Sequence, residues 1–265
     1  MADPLDLPDH LLSIAKDELG ETPEIRRKLL TEMRAKIAEL PESDRLTDLS
    51  DVNLIRFLRC RKYDLDKALQ ATVDLQKFQT SHPEWTDNLR ADEFRVFSTF
   101  FQVLEHRGPK GQFIIVLRPN NGIKIFTNDF LAENPLAMIR CNIFFLDRLS
   151  KNVDVQVCGL IVCNSFKGFT VRDNFRLSKA SKVNEQIGTF RFMSILGLRL
   201  SGAFMFDQPF YMTWLWPIVR VFLSEKLRSR FHLCGSNYEA IKEVPVRAYL
   251  HVWPAHGRAL AESRN

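Results

Sequence analysis

The sequence predicts an α/β fold: an N-terminal lobe made only of helices, followed by a lobe whose mostly parallel sheet is flanked by helices. Three observations lead there. Residues 7 to about 80 carry apolar side chains only at helical spacing. From residue 101 short β-rich runs alternate with helical ones, the order that builds a largely parallel sheet. The stretch FYMTWLWPIVRVFLSEKLRSRF at 210–231 is apolar nearly all round in its first half and basic in its second, unlike an ordinary surface helix.

In the helical lobe, Leu11, Leu12, Ala15 and Leu19 share one face and Gly20 stops that helix. Thr22-Pro-Glu24 restarts the chain, and Leu29, Met33 and Ile37 continue the helical spacing through residues 25–40. Asp51 is a capping candidate for a helix that buries Leu54, Ile55 and Leu58, leaving Arg56, Arg59 and Arg61 for other duties. Asp64 opens a further helix to about residue 78, ended by His82-Pro83 because the residue before proline avoids the helical region. These signals place a helical unit at 1–85 and a second lobe at 86–265.

The second lobe begins with two strands near 102–106 and 113–119. The turn residues of 107–111 separate them, so they pair antiparallel. A helix is expected from about 128 to 150, then a nearly all-apolar strand at 157–164 suited to a sheet covered on both faces. A helix around 176–195 and a buried strand at 198–206 follow, and Pro217 should kink or restart the helix after Pro209.

Composition narrows the function. A chain of 265 residues with 45% hydrophobic content can bury a substantial core, in one large or two small domains. The formal charge of +5, from 37 Lys and Arg against 32 Asp and Glu, is compatible with an anionic surface as partner. Five cysteines, an odd and widely spaced set mostly in apolar runs, imply reduced thiols and an intracellular protein. The N-terminus has no basic region followed by an apolar run, and no apolar stretch approaches the roughly 18 residues of a spanning helix. Any membrane contact is expected to be peripheral and transient, for a cytoplasmic protein.

The markers of phosphate-loop, hydrolase, zincin and zinc-finger chemistry are missing, so neither a metal nor a cofactor is expected. The six histidines stand apart from paired carboxylates, and Cys163 and Ser165 have no adjacent base, so the chain is not expected to be an enzyme. Without a basic groove interleaved with aromatics, nucleic acid is not expected as a partner either.

What remains is a physical constellation. Leu160, Val162 and Asn164 share one strand face, and Leu198 and Leu200 share another with Arg199 opposite. An apolar face with one polar group suits a lipid with one polar end, and it equally describes ordinary core strands. Phe222, Lys226 and Arg230 fall four apart on a helix, with Arg220 and Arg228 nearby. That arrangement reads as a phosphate-binding surface or as a solvated helix end complementing its own dipole. The apolar half at 210–222 is a core helix or a cover able to meet a bilayer through Trp and Phe.

These residues carry a family resemblance. Leu54-Ile-Arg-Phe-Leu-Arg-Cys-Arg61-Lys-Tyr-Asp-Leu-Asp-Lys-Ala68 resembles the helical entry motif of CRAL-TRIO proteins. Glu18-Leu-Gly-Glu-Thr-Pro-Glu24 resembles the lead-in of the animal retinaldehyde-binding and tocopherol-transfer branch, and the likeness extends through 159–168, 202–209 and 222–238. The resemblance implies a helical lobe, a lipid-binding lobe whose sheet floors a cavity, and a mobile lid helix at about 208–222. It implies binding of a single hydrophobic lipid, tocopherol-, retinoid- or isoprenoid-like, and its transfer between membranes by a monomer. The alternative is a phosphatidylinositol- or phospholipid-binding sensor or scaffold that transfers nothing.

For the cavity wall the expectation is Ile139, Asn142 and Leu146 from the long helix, with Leu160, Val162, Asn164, Leu198 and Leu200 from the sheet. The lid would supply Phe210, Trp214, Leu215, Ile218 and Phe222. By motif position the resemblance places a phosphoinositide head group of the membrane surface at Arg61, Arg199, Phe222, Lys226 and Arg230. Three departures stand out. Ser201 occupies a position where the tocopherol-transfer pattern has arginine, Ser165-Phe-Lys-Gly168-Phe169 replaces Asp-x-x-Gly-Trp, and residues 244–253 replace the family's closing segment.

Overall fold

The computed structural model describes residues 5–94, 101–118, 136–173, 193, 195–223 and 225–241, with Met138 and Phe222 described by backbone alone. Helix α1 (Asp9–Ile14) runs into one π-helical turn at Ala15–Leu19, and Gly20 closes it in the left-handed region at φ 72°. Helix α2 (Pro23–Glu39) starts where the Ile25 N–H donates to the Thr22 hydroxyl at 3.3 Å, with proline at its first position. It buries Leu30, Met33 and Ile37, while Leu29, expected on that face, is half-buried.

Helix α3 (Asp51–Cys60) is capped by Ser50 rather than Asp51, because the serine hydroxyl, one residue earlier, accepts from the Asn53 N–H. Asp64 caps α4 (Leu65–Ser81), accepting from the Lys67 N–H at 3.1 Å, and the helix ends before His82-Pro83 as the sequence predicts; Pro83 then opens the short α5 (Pro83–Thr86), which the sequence reading did not expect.

Strands β1 (Phe101–Arg107) and β2 (Phe113–Leu117) pair antiparallel, joined by a turn that Gly111 permits at φ 77°. Helix α6 (Ala137–Ser150) and the short α7 (Val153–Cys158) precede β3 (Leu160–Ser165). Val157 and Cys158, read from sequence as strand, are therefore the end of a helix. Asn152 caps α7 by accepting from the Val155 N–H at 3.1 Å, and Gly159 at φ 87° turns the chain into the sheet. Strand β4 (Leu200–Phe206) begins two residues later than expected, and the helix expected at 176–195 lies outside the described residues apart from Met193 and Ile195. Helix α8 (Phe210–Val219) passes through Pro217 and breaks only afterwards, in a 3-10 turn at Arg220–Phe222. The four-residue α9 (Glu225–Arg228) and β5 (Phe231–Gly235) follow.

The strands lie in chain order, β1-β2-β3-β4-β5, and every pair after the first is parallel. Alternation sorts their side chains onto two faces. Phe113, Ile115, Leu160, Val162, Leu200, Ala203 and Met205 pack with Leu54, Phe57, Leu58 and Leu75 of the helical lobe and with Ile143, Leu146 and Leu149 of α6. Ile114, Val116, Ile161, Cys163 and Phe206 form a smaller core with Leu104 and Ile241 on the other face. The helical lobe and one face of the sheet thus share a single core.

Two arginines of the entry motif bolt that junction. Arg59, 2% exposed, makes a two-pronged pair with the equally buried Glu21 at 2.8 and 2.9 Å and donates to Gln156 at 2.7 Å. Arg56 donates to the Ser150 hydroxyl at 2.6 Å and to Asp147 at 3.3 Å. Gly197 presses against the backbone carbonyl of Arg56 so closely that a Cβ there would sit 3.1 Å from its oxygen.

Candidate functional site

The face of the sheet that meets α6 is built in rows fixed by strand register. Ile115, Val162, Ala203 and Phe231 form one row, and Leu117, Asn164, Met205 and Leu233 the next, toward the carboxyl ends of the strands. Ala203 keeps the centre of the first row shallow. In the second row Asn164 is the polar exception, half-buried and without a side-chain hydrogen bond among the described residues. From α6, Leu146 is buried in the same core, with Ile139 packed against it and Asn142 half-buried. Leu160, Leu198 and Leu200 are also in this core, at the end of the strands near the helical lobe. Leu160, Val162, Asn164 and Leu200 therefore share one face of the sheet, with Leu146, Ile139 and Leu198 in the core packed on it.

Helix α8 is placed differently from the expectation. Phe210, Trp214, Leu215 and Ile218 are 75%, 80%, 50% and 60% exposed, so they form an outward apolar surface instead of a wall over the sheet. Tyr211, Met212 and Trp216 are the half-buried side of the helix, and the Trp216 ring lies 5.8 Å from that of Phe231 on β5. Helical spacing could have separated these two sets, but with apolar residues on every side hydrophobicity alone did not. The Phe222 side chain lies outside the described residues, as does the 244–253 segment. The Tyr211 hydroxyl is buried and, among the described residues, has no hydrogen-bond partner; burial pushes its acidity down, with Asp173 adding to the effect. Sequence reading gave no hint of it.

Beside the sheet lies a pocket of about 200 Å³ lined by Arg61, Lys62, Arg199, Ser201, Lys226 and Arg230, with Cys60, Met193, Leu198, Leu200 and Leu227 completing it. It unites three distant segments: the end of α3, the entry to β4, and the stretch around α9. Lys62 and Tyr63 both take the left-handed conformation, at φ 51° and 60°, which turns the chain sharply after Arg61. Arg199 is anchored by donating to the Val157 carbonyl. Among the described residues no carboxylate lines the pocket, and Lys226 and Arg230 make no ion pair. Burial holds Lys226, Arg199 and Arg230 below their usual ranges, and Arg230 adds repulsion to the other two. Lys62 was not anticipated, and Ser201, at the position lacking the expected arginine, lines the pocket instead.

A second cavity, of about 250 Å³, lies at the seam of helical lobe and α6 and contains Asp48, Arg56, Asp147 and Lys151. Its charges are already matched, with Lys151 and Arg56 both on Asp147 at 2.7 and 3.3 Å. Of the two nucleophiles weighed from sequence, Ser165 is buried and Cys163 fully so, and burial pushes the Cys163 thiol up to about 12. Among the described residues no cluster of His, Cys, Asp or Glu could hold a metal ion, and no helix is long and apolar enough to cross a membrane.

Residues 97–249, more than half of the chain, match the CRAL/TRIO domain model. The chain belongs to the CRAL/TRIO family. Among CRAL/TRIO relatives, it is 31% identical over 245 residues to a Homo sapiens protein named alpha-tocopherol transfer protein-like, across 89% of this chain. It is 26% identical over 238 residues to clavesin-1 of Xenopus laevis, across 86% of this chain and 67% of that one. The chain spans 66% of the length of the tocopherol transfer protein-like relatives. Among solved structures, Sfh5 aligns over 100% of this chain and 99% of that one with a TM-score of 0.48 at 11% identity, too low to add to the family assignment. The CRAL/TRIO match covers the sheet, α8 and the β4 and α9 sides of the cationic pocket, while Arg61 and Lys62 come from the helices before it.

Proposed function

We propose that this chain binds one hydrophobic lipid against the apolar face of its sheet and carries it between membranes without catalysing a reaction. In this reading it docks by taking an anionic phosphoinositide head group in the cationic pocket. The observation that carries it is a juxtaposition, among the described residues: an apolar floor whose one amide has no side-chain hydrogen bond, an exposed apolar helix, and a pocket of five cations lined by no carboxylate where the helical lobe meets the sheet. The names of the tocopherol transfer protein-like relatives favour an isoprenoid-type cargo.

Energetics explain why the parts belong together. A cargo burying a few hundred Å² gains several kcal/mol at about 25 cal/mol per Å², so release into water is slow. Release at a bilayer avoids that barrier. The outward Phe210, Trp214 and Ile218 find acyl chains while Arg61, Lys226 and Arg230 find phosphate, at roughly 1 kcal/mol per cation near an anionic surface. Asn164, on the floor row nearest the carboxyl ends of the strands, is positioned to bond a cargo hydroxyl or carbonyl.

The test is mass spectrometry of an organic extract of the purified protein, wild type against Asn164→Trp, which fills the floor. A stoichiometric lipid present in the wild type and lost from the folded variant supports the reading and names the chemical class. If none is found even after retinoids, tocopherols and phospholipids are offered, the cargo reading fails. A lipid-bound protein that does not speed transfer between vesicles is a sensor or scaffold instead.

A further inference from the structure

Helix α8 is reached from β4 through Asp207, Gln208 and Pro209, and the chain returns to the sheet in β5, which ends at Gly235. The two ends of this excursion are fastened to each other. The Asp207 N–H donates to the Gly235 carbonyl at 2.8 Å, and the Gly235 N–H donates to Gln208 Oε1 at 2.9 Å. The Tyr238 hydroxyl donates to Asp207 Oδ1 at 2.5 Å, while its ring stacks on Phe206, centroids 5.8 Å apart and 20° from parallel. Asp207 itself sits in the left-handed region at φ 51°, which Asp enters more readily than most residues.

A helix that swings on this connection must change the backbone angles of residues 207–209. Pro209 cannot contribute its φ, held at −59° by its ring. The rotation therefore falls on Asp207, Gln208 and the ψ of Pro209, and the first two of these residues are tied to β5 and to Tyr238. We propose that Tyr238 is a positioning residue that latches the hinge of α8: its hydroxyl holds Asp207 in the left-handed conformation that seats the Tyr211, Met212 and Trp216 side of the helix, and breaking that bond is the step that frees the helix. The inference rests on reading α8 as a moving cover. It adds a residue outside the cover and outside the cationic pocket that sets how fast the cover opens. A hydrogen bond to a charged acceptor contributes enough that its loss changes opening about tenfold or more.

The experiment is amide hydrogen exchange on the full chain, comparing wild type, Tyr238→Phe and Gln208→Ala. Phenylalanine keeps the stack on Phe206 and removes only the hydroxyl. The expected result is exchange about tenfold faster across residues 212–223, with the β3 amides Ile161, Val162 and Cys163 unchanged. Equal rates in 212–223 overturn the proposal, as does an equal acceleration in β3, which marks general loosening. Gln208→Ala removes the second tie from the other side of the clasp. It must speed the same amides, and it carries the test if the tyrosine variant does not fold. Exchange needs no cargo, so an extract without lipid would remove the cargo reading and leave this result standing.

Discussion

Replacing Lys226 and Arg230 together by alanine should weaken membrane binding and leave the fold as stable as before, or more so. Both cations line the pocket with Arg61, Lys62 and Arg199, and no carboxylate among the lining residues offsets them. Burial and mutual repulsion already hold Lys226 below its usual range, which means that the folded state disfavours its charged form. Stability therefore rises as pH climbs through the lowered value toward the ordinary lysine range, and deleting the charge gives the same relief at neutral pH. An anionic surface reverses the balance. At roughly 1 kcal/mol per cation, losing two costs about 2 kcal/mol, close to 30-fold in affinity. The assay is co-sedimentation with phosphatidylcholine vesicles with and without a phosphatidylinositol bisphosphate, read beside a thermal melt. The reasoning is refuted if binding to the phosphoinositide vesicles is unchanged, if both vesicle types lose affinity equally, or if the melt drops by several degrees.

The buried pair of Arg59 and Glu21 should behave in the opposite way: Glu21→Ala strands Arg59, and partly Arg26, in the core and costs about 3–5 kcal/mol in urea unfolding, whereas Glu21→Leu with Arg59→Met recovers most of that loss. Cys141 and Cys163, whose thiols burial pushes up to about 12, should resist alkylation in the folded chain and react only once denaturant is added, as intact mass would report. Their contribution to stability is complete below the ordinary thiol value of 9.0 and is lost as pH rises toward about 12, so urea midpoints should fall across that window.

Much of this molecule is legible in its sequence because local rules and burial agree. Gly20, Thr22, Asp64 and Pro83 mark helix boundaries through backbone chemistry that tertiary contacts leave alone. The nearly continuous apolar runs of β2 and β3 give the sheet because each of its faces meets a core of its own. Misreadings fall where two rules compete. Val157 and Cys158 are apolar enough for a strand, but the Asn152 cap and Gly159 confine them to a helical turn. Strand β5 was missed because Phe231 and Leu233 follow directly on a basic helical stretch, and only Gly235 hints at an end. In the candidate site, Arg61, Arg199, Lys226 and Arg230 could be gathered only through the family likeness, since no spacing rule joins residues so far apart. Lys62 and the Tyr211 hydroxyl escaped because a left-handed turn and the burial of a single hydroxyl arise from the folded arrangement and leave no local pattern in the sequence.

The way the cationic pocket is assembled has one more consequence. Its residues come from the end of α3, the entry to β4 and the stretch around α9, so the pocket exists only once the helical lobe has docked and the sheet has closed as far as β5. A nascent or damaged chain carries every one of those positive charges yet lacks the cradle that would concentrate them. If the pocket serves the docking proposed above, tight binding to an anionic head group is expected only of a chain that has finished folding, and a half-made copy should bind such a surface less well.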